Sequence, residues 1–380
     1  MEGIGLYIHI PFCRSKCGYC DFASRAGAEH LMPRYVNALC RELDVCAAER
    51  LKGSVQLRTL YIGGGTPTVL PAEEMERILD RVRSLFSLTS DAECTIEANP
   101  GTVTKSSLER LHSAGMNRIS FGVQSFSDAI LKGLGRVHMS EEARDAILLA
   151  QEAGFLNTSL DLMYGLPSQT MEDLERSVEE ALTLPVSHIS VYGLQVEAGT
   201  PFYTRFERGQ LALPADETVD AMYDYLTKRL PAAGYSRYEI SNYAREGFES
   251  RHNLSYWQDV PYLGVGASAH SYLGNVRYEN VREAEAYIEC VESGQSPRRI
   301  ERKPDQSAHM EEVAFLSLRM AEGLSKARFE ETFGVSLEEV YRDAIERCTR
   351  KGLLEETKTH IRLNSLGMKY GNQVFAEFLL

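Results

Sequence analysis

Tyr7-Ile-His-Ile-Pro-Phe-Cys13-Arg-Ser-Lys-Cys17-Gly-Tyr-Cys20-Asp-Phe22 is the stretch on which the fold turns. Its cysteines follow the spacing C-x₃-C-x₂-C. Thiolates are the ligands of iron–sulfur clusters, and a [4Fe–4S] cluster ordinarily takes four of them. Three on one short loop would hold three irons and leave the fourth open to a small molecule. The apolar run Leu6, Ile8, Ile10 reads as a strand, which places the loop at that strand's C-terminal end. Other uses of the cysteines compete. Free cysteine is often simply buried, but the tight spacing argues against chance. Zinc held by the three thiols and His9 is a second possibility. A strand turns His9 away from the face of Ile8 and Ile10, and no second Cys or His pair follows. A disulfide framework fits poorly, because there is no signal-peptide pattern and Cys40, Cys46, Cys94, Cys290 and Cys348 stand singly.

Working outward, short β-branched segments alternate with helical patterns. The expected strands are 6–10, 57–62, 94–98, 118–122, 159–163 and 189–192. Between them lie amphipathic stretches at 72–85, 105–114, 141–153 and 172–182. Crossovers of this length imply parallel strands, and six units fit an α/β fold of the partial (β/α)₆ barrel type. The expected organisation is a barrel over 1–200, a less regular, Tyr- and Gly-rich extension over 201–303, and a C-terminal module over 304–380. In that module helices at 310–321 and from 337, opened by the capping-box pattern Ser336-Leu-Glu-Glu339, precede strand-like pieces at 353–357 and 360–363. This order suggests a winged-helix-like fold.

Composition narrows the function classes. The chain has 380 residues, 43% of them hydrophobic, with a formal net charge of −13. From Asp305 to Leu380 ten Lys and Arg face thirteen Asp and Glu, a balance unsuited to phosphate binding, so no nucleic-acid partner is expected. No apolar run is long enough to span a membrane. The Lys/Arg-poor start does not read as a transit peptide, and thiol chemistry without secretion points to a reducing, cytoplasmic setting.

The aromatic Tyr19 before the last cysteine completes a signature that resembles the radical S-adenosylmethionine (SAM) superfamily. Tyr7-Ile-His-Ile-Pro-Phe-Cys13, Gly63-Gly-Gly-Thr-Pro67, Glu97-Ala-Asn-Pro100 and Phe121-Gly-Val-Gln-Ser-Phe126 are similar to the oxygen-independent coproporphyrinogen oxidase branch, and within it to the heme chaperones of the HemW type. The resemblance implies a [4Fe–4S] cluster on Cys13, Cys17 and Cys20. It implies SAM contacts from Gly64, Gly65, Thr66 and Glu97, a carboxylate clamp from Arg136, and ribose contacts from Gln124 and Asp161. Tyr7 and Tyr19 would lie near the cluster and adenine. His252-Asn-Leu-Ser-Tyr-Trp257 resembles a motif associated with heme in the chaperones: His252 would be an axial ligand, His270 its reserve, and Trp257 a stacking surface. Oxidases of this branch carry a further cysteine where this chain has Phe22. The implied role is binding heme and delivering it to client hemoproteins such as membrane respiratory enzymes, with membrane association only through such partners and a possible homodimer. The competing reading is a porphyrin-modifying radical enzyme, a coproporphyrinogen oxidase above all.

Overall fold

A computed structural model describes residues 3–49 and 55–380. Six parallel strands lie side by side in chain order: β1 (Ile4–Ile10), β2 (Gln56–Gly64), β3 (Ser87–Ala98), β4 (Arg118–Gln124), β5 (Asn157–Tyr164) and β6 (His188–Gly193). Each expected strand is present, extended by one to seven residues at one or both ends. The helices between them are Met32–Glu49, Ala72–Leu85, Lys105–Ser113, Asp128–Leu134, Ser140–Glu152 and Met171–Thr183. The helix Ala72–Leu85 shows why. Met75, Ile78, Leu79 and Val82 form one buried stripe, and Glu73 and Glu74 occupy the first turn, where they favour the helix dipole. Each fully buried Ile or Leu in such a stripe contributes roughly 1.5–3 kcal/mol.

Strand periodicity separates two environments. Leu6, Ile8 and Ile10 of β1 are buried against the helices, whereas Gly5, Tyr7 and His9 face the inside of the curved sheet, level with Thr59, Tyr61 and Gly63 of β2. The interior is polar: Thr59, Glu93, Arg118, Ser120, Ser159, His188 and Ser190 are all buried.

The sheet is not closed. Beside β1 run Tyr262–Val265, parallel, and then His270–Leu273, Val276–Asn280 and Arg298–Arg302, antiparallel. Beyond β6 lie Asn242–Ala244 and Ser236–Arg237. Residues 201–303 therefore extend both edges of the barrel sheet. They share its core through Leu263, Val265, Tyr287 and Ile288. The buried Glu42 carboxylate ties them to the helix Met32–Glu49, accepting from Gly266 N at 2.8 Å, Asn280 Nδ2 at 2.6 Å and the Tyr287 hydroxyl at 2.6 Å.

The C-terminal module has its own core around Phe329, Tyr341, Cys348, Ile361 and Phe378. The helices Gln306–Ser317, Lys326–Phe333 and Leu337–Arg350 pack with an antiparallel sheet in which His360–Leu363 lies between Leu324–Ser325 and Leu354–Glu356. The Ser336 capping box forms as expected: its hydroxyl accepts from Glu339 N, and the Glu339 carboxylate accepts from Ser336 N. Among the described residues no helix is long and apolar enough to cross a membrane.

Candidate functional site

All six strands point their C-terminal ends at one cavity of about 1130 Å³. Cys13, Cys17 and Cys20 line one end of it, together with Tyr19, Gly64, Gly65, Thr66, Glu97, Gln124, Arg136 and Asp161. These residues are spread over 149 positions, from Cys13 to Asp161. They meet because β/α units deliver every strand end to the same side of the sheet.

The cysteine loop is fastened at several points. Gly18 N donates to Leu134 O at 3.0 Å, and Gly18 O accepts from Phe202 N at 2.9 Å. A Cβ on Gly18 would stand 2.4 Å from the Phe202 ring, so only glycine fits beneath it. Buried Phe202 also packs against Tyr19, ring centres 6.3 Å apart. The triple-glycine turn is bound to the same loop: Gly65 N donates to Ile10 O and Thr66 N to Phe12 O, both at 2.8 Å. Gly64 takes φ +113°, and a Cβ on Gly65 would meet Phe12 O at 2.6 Å and Cys13 Sγ at 3.0 Å. Both positions demand glycine.

The donor set fits an iron–sulfur cluster. Three free thiols share one loop and open to one cavity. Thr66 Oγ1 donates to Cys13 Sγ at 3.7 Å and Arg136 Nη1 to Cys17 Sγ at 3.5 Å, donors of the kind that stabilise thiolate charge. Among the described residues no three Cys, His, Asp or Glu side chains converge on a point fit for a single metal ion. A cluster needs no such convergence, since each thiolate binds a different iron. His9 is occupied elsewhere: Nε2 lies 2.9 Å from Ala23 O and Nδ1 3.0 Å from the Tyr7 hydroxyl.

Beside the thiols, Arg136 also donates to Gly122 O. The Glu97 carboxylate accepts from the Tyr61 hydroxyl at 2.7 Å and from Gly64 N at 3.1 Å. Burial pushes its pKa up to about 7 against the pull of the Tyr61 hydrogen bond. Burial likewise raises the Asp161 pKa, opposed by a hydrogen bond from Ser190 and by the charges of Arg118 and Arg136. Gln124 ends β4 at φ +70°, next to a register shift. That conformation is strained for a residue with a side chain, and such strain concentrates at functional sites.

Tyr7 does not reach the cavity. It lies in the barrel interior, stacked on Tyr61 at 6.1 Å and His252 at 6.4 Å. The expected ligand role of His252 is corrected more sharply. The motif forms the helix Arg251–Trp257, which lies at the N-terminal ends of the strands, opposite the cysteines. Buried Glu93 accepts from Arg251 N and His252 N, and Ser250 caps the helix. His252 is 1% exposed. Its Nδ1 lies 2.7 Å from Thr59 Oγ1 and its Nε2 2.8 Å from the Tyr256 hydroxyl. Both ring nitrogens are engaged, one as donor and one as acceptor, so the ring has no free nitrogen to offer iron. Burial, then the charge of Arg118, lowers its pKa to about 3. Exposed His270 opens its strand but does not line the cavity. Half-buried Trp257 does not line the cavity either; its ring carries the Arg319 guanidinium at 5.2 Å.

Sequence reasoning missed the far end of the cavity. Tyr164, Tyr192, Tyr223 and Tyr243 line it with Arg319 and with 368–373 of the C-terminal module. Lys369 ties that module to the helix Asp216–Ala232 through Asp220 at 3.3 Å and Asp224 at 3.1 Å. These residues come from separate segments and carry no spacing signal. Only the excess of tyrosine in the extension pointed there.

The comparisons agree with this geometry. Residues 7–181 match the model of the radical SAM superfamily, and 305–369 that of the HemN C-terminal domain. The heme chaperone HemW of Bacillus subtilis is 40% identical over 98% of each chain. That of Escherichia coli is 36% identical over 99% of this chain and 98% of its own. Among solved structures, the coproporphyrinogen III oxidase HemN of Escherichia coli, a radical SAM enzyme, superposes with a TM-score of 0.87 at 24% identity, over 99% of this chain and 90% of that one; this likeness concerns the fold. The chain belongs to the radical SAM superfamily and, within it, to the family of the heme chaperone HemW.

His252→Ala should cost on the order of 2–4 kcal/mol, because Thr59 and Tyr256 lose their partner inside the barrel. The neutral ring also sets a pH dependence. Between its folded pKa of about 3 and its ordinary value of 6.5 the unfolded chain binds the extra proton, so stability falls as pH falls through that window. Urea unfolding from pH 7 to 4 should show a shallower decline in the variant than in the parent. Equal slopes and unchanged stability would contradict the structural role of His252.

Proposed function

We propose that the protein holds a [4Fe–4S] cluster on Cys13, Cys17 and Cys20, binds SAM beside it, and carries heme to hemoproteins such as membrane respiratory enzymes. The observation that carries this reading is the single cavity with two unlike ends. One end presents thiols, glycine backbone and charged groups. The other is walled by tyrosines and is large enough for a second, flat ligand beside SAM, since about 1130 Å³ exceeds the volume of most single-ligand pockets. The near full-length identity to proteins named heme chaperone supports heme as the cargo.

A cluster at the thiols would supply an electron and an open iron for the amino and carboxylate groups of SAM. The side chains divide the remaining work. Arg136 offers a forked, charge-assisted clamp for the methionine carboxylate. Glu97 faces the ammonium, Gln124 and Asp161 the ribose hydroxyls, and Tyr19 the adenine. The C-terminal module, winged-helix-like in its element order and net acidic, serves to cover the cavity and dock partners, not to bind nucleic acid.

The alternative is oxidation of coproporphyrinogen III, favoured by the fold shared with HemN. Against it stands Phe22, 65% exposed at the cavity rim, where the oxidases of this branch carry a further cysteine. A hemin difference spectrum beside an anaerobic turnover assay with SAM and reductant divides the two. The expected result is a heme complex and no protoporphyrinogen. Robust product formation would establish the oxidase.

Replacing Cys13, Cys17 or Cys20 by Ser should abolish iron and sulfide uptake on anaerobic reconstitution. The same change at Cys40, Cys46, Cys94, Cys290 or Cys348 should not. Iron retained by a chain lacking all three loop cysteines would refute the assignment.

A further expectation concerns Glu97, which at pH 7 is partly protonated. A ligand ammonium beside it favours the carboxylate, so SAM binding should release on the order of half a proton at pH 7. Calorimetry in buffers of different ionisation enthalpy measures this. Release should vanish in Glu97→Gln, and an unaltered release in that variant would remove Glu97 from the site.

A further inference from the structure

At the tyrosine-walled end of the cavity one cation stands without a counter-ion. Arg319 follows the helix Gln306–Ser317 and lines the cavity. Its guanidinium is held between two rings, Trp257 at 5.2 Å and Phe375 at 5.1 Å. It makes no hydrogen bond or ion pair with the described residues, and its Nε is buried without an acceptor. The neighbouring cations differ. Lys369 is paired with Asp220 and Asp224, and Arg136 donates to Gly122 O and Cys17 Sγ. Glu239 acts on Arg319 only through space; its carboxylate accepts instead from Ser241 N at 2.8 Å.

An arginine held against two aromatic rings has already lost much of its side-chain freedom. It presents a planar, pre-oriented fork of donors. Burying that charge unpaired is unfavourable, and burial does lower its pKa. A carboxylate arriving from the cavity would offset the cost and complete a charge-assisted pair. The surrounding tyrosines favour a flat, unsaturated body behind that carboxylate.

We propose that Arg319, positioned by Trp257 and Phe375, binds a carboxylate of the cavity's second ligand, a propionate in the case of a porphyrin. Trp257 then serves the ligand through Arg319 and does not stack on it. This rests on the reading of heme as cargo, but it concerns the acid groups and not the iron.

Metal-free mesoporphyrin IX and its dimethyl ester separate the two questions, because neither offers iron to an axial ligand. Trp257 is the only tryptophan, so quenching of its fluorescence in the full chain reports binding at this end. The free acid should bind the parent protein roughly tenfold or more tightly than the ester. Arg319→Gln should bring the two within about twofold. Arg319→Lys, which keeps a charge and guards against a variant that fails to fold, should retain part of the preference. Equal binding of acid and ester by the parent, or a full preference in Arg319→Gln, would overturn the anchor while leaving heme binding intact. Failure of hemin and both porphyrins to bind the parent would overturn the heme reading and this inference with it.

Discussion

Two backbone hydrogen bonds, Gly65 N to Ile10 O and Thr66 N to Phe12 O, join the glycine turn after β2 to the cysteine loop after β1. The site depends on this junction. Donors and acceptors buried at strand ends must be paired, and here each loop satisfies the other. The pairing brings Gly65 so close to the Phe12 carbonyl, with Cys13 Sγ beside it, that no Cβ fits there. It also sets Gly64 against the Glu97 carboxylate. A thiol, a glycine amide and an acid are thereby fixed in one corner without any of them being adjacent in sequence.

The polar barrel interior follows from the same arrangement. Helices cover the outer face of the sheet and take its apolar side chains, so the inward face of each strand is left to Tyr7, His9, Thr59, Glu93, Arg118 and His188. Such groups are tolerated only when bonded. The helix Arg251–Trp257 supplies much of that bonding. It gives Glu93 two N–H donors and places His252 between Thr59 and Tyr256. One end of the barrel is closed by side-chain hydrogen bonds. The other is open to the cavity, with the cysteines on its wall.

The C-terminal module shapes what the cavity can accept. It has its own core, yet residues 368–373 and Arg319 form the wall that the barrel lacks on its open side. Because Lys369 and its two aspartates are the ion pairs holding the segment to the helix Asp216–Ala232, the far end of the cavity owes its shape to the relation between two units. The near end owes its shape to the barrel strands and loops, with Phe202 of the extension bracing the cysteine loop.

Much was legible in the order of residues. The six strands, the helix at 72–85 and the Ser336 cap are local patterns of period and capping, and local patterns survive folding because the backbone must satisfy them anyway. The cysteine spacing and the glycine turn were legible for the same reason: each is a short loop whose geometry is decided within a few residues. His252 shows where that reasoning ends. Its chemistry allows iron ligation, and nothing local reveals that Thr59, 193 positions away, meets one nitrogen while Tyr256 meets the other. Arg319 shows the converse. It carries no motif, and only the packing of Trp257 and Phe375 around it leaves a buried charge facing a cavity. The sequence by itself determined the six barrel strands, the class of fold and the thiol loop, because those rest on periodicity and short-range spacing; the strands of the extension were not legible in it. Tertiary structure alone decided which polar groups are satisfied and which are left free to meet a ligand, because that depends on partners brought together by the fold.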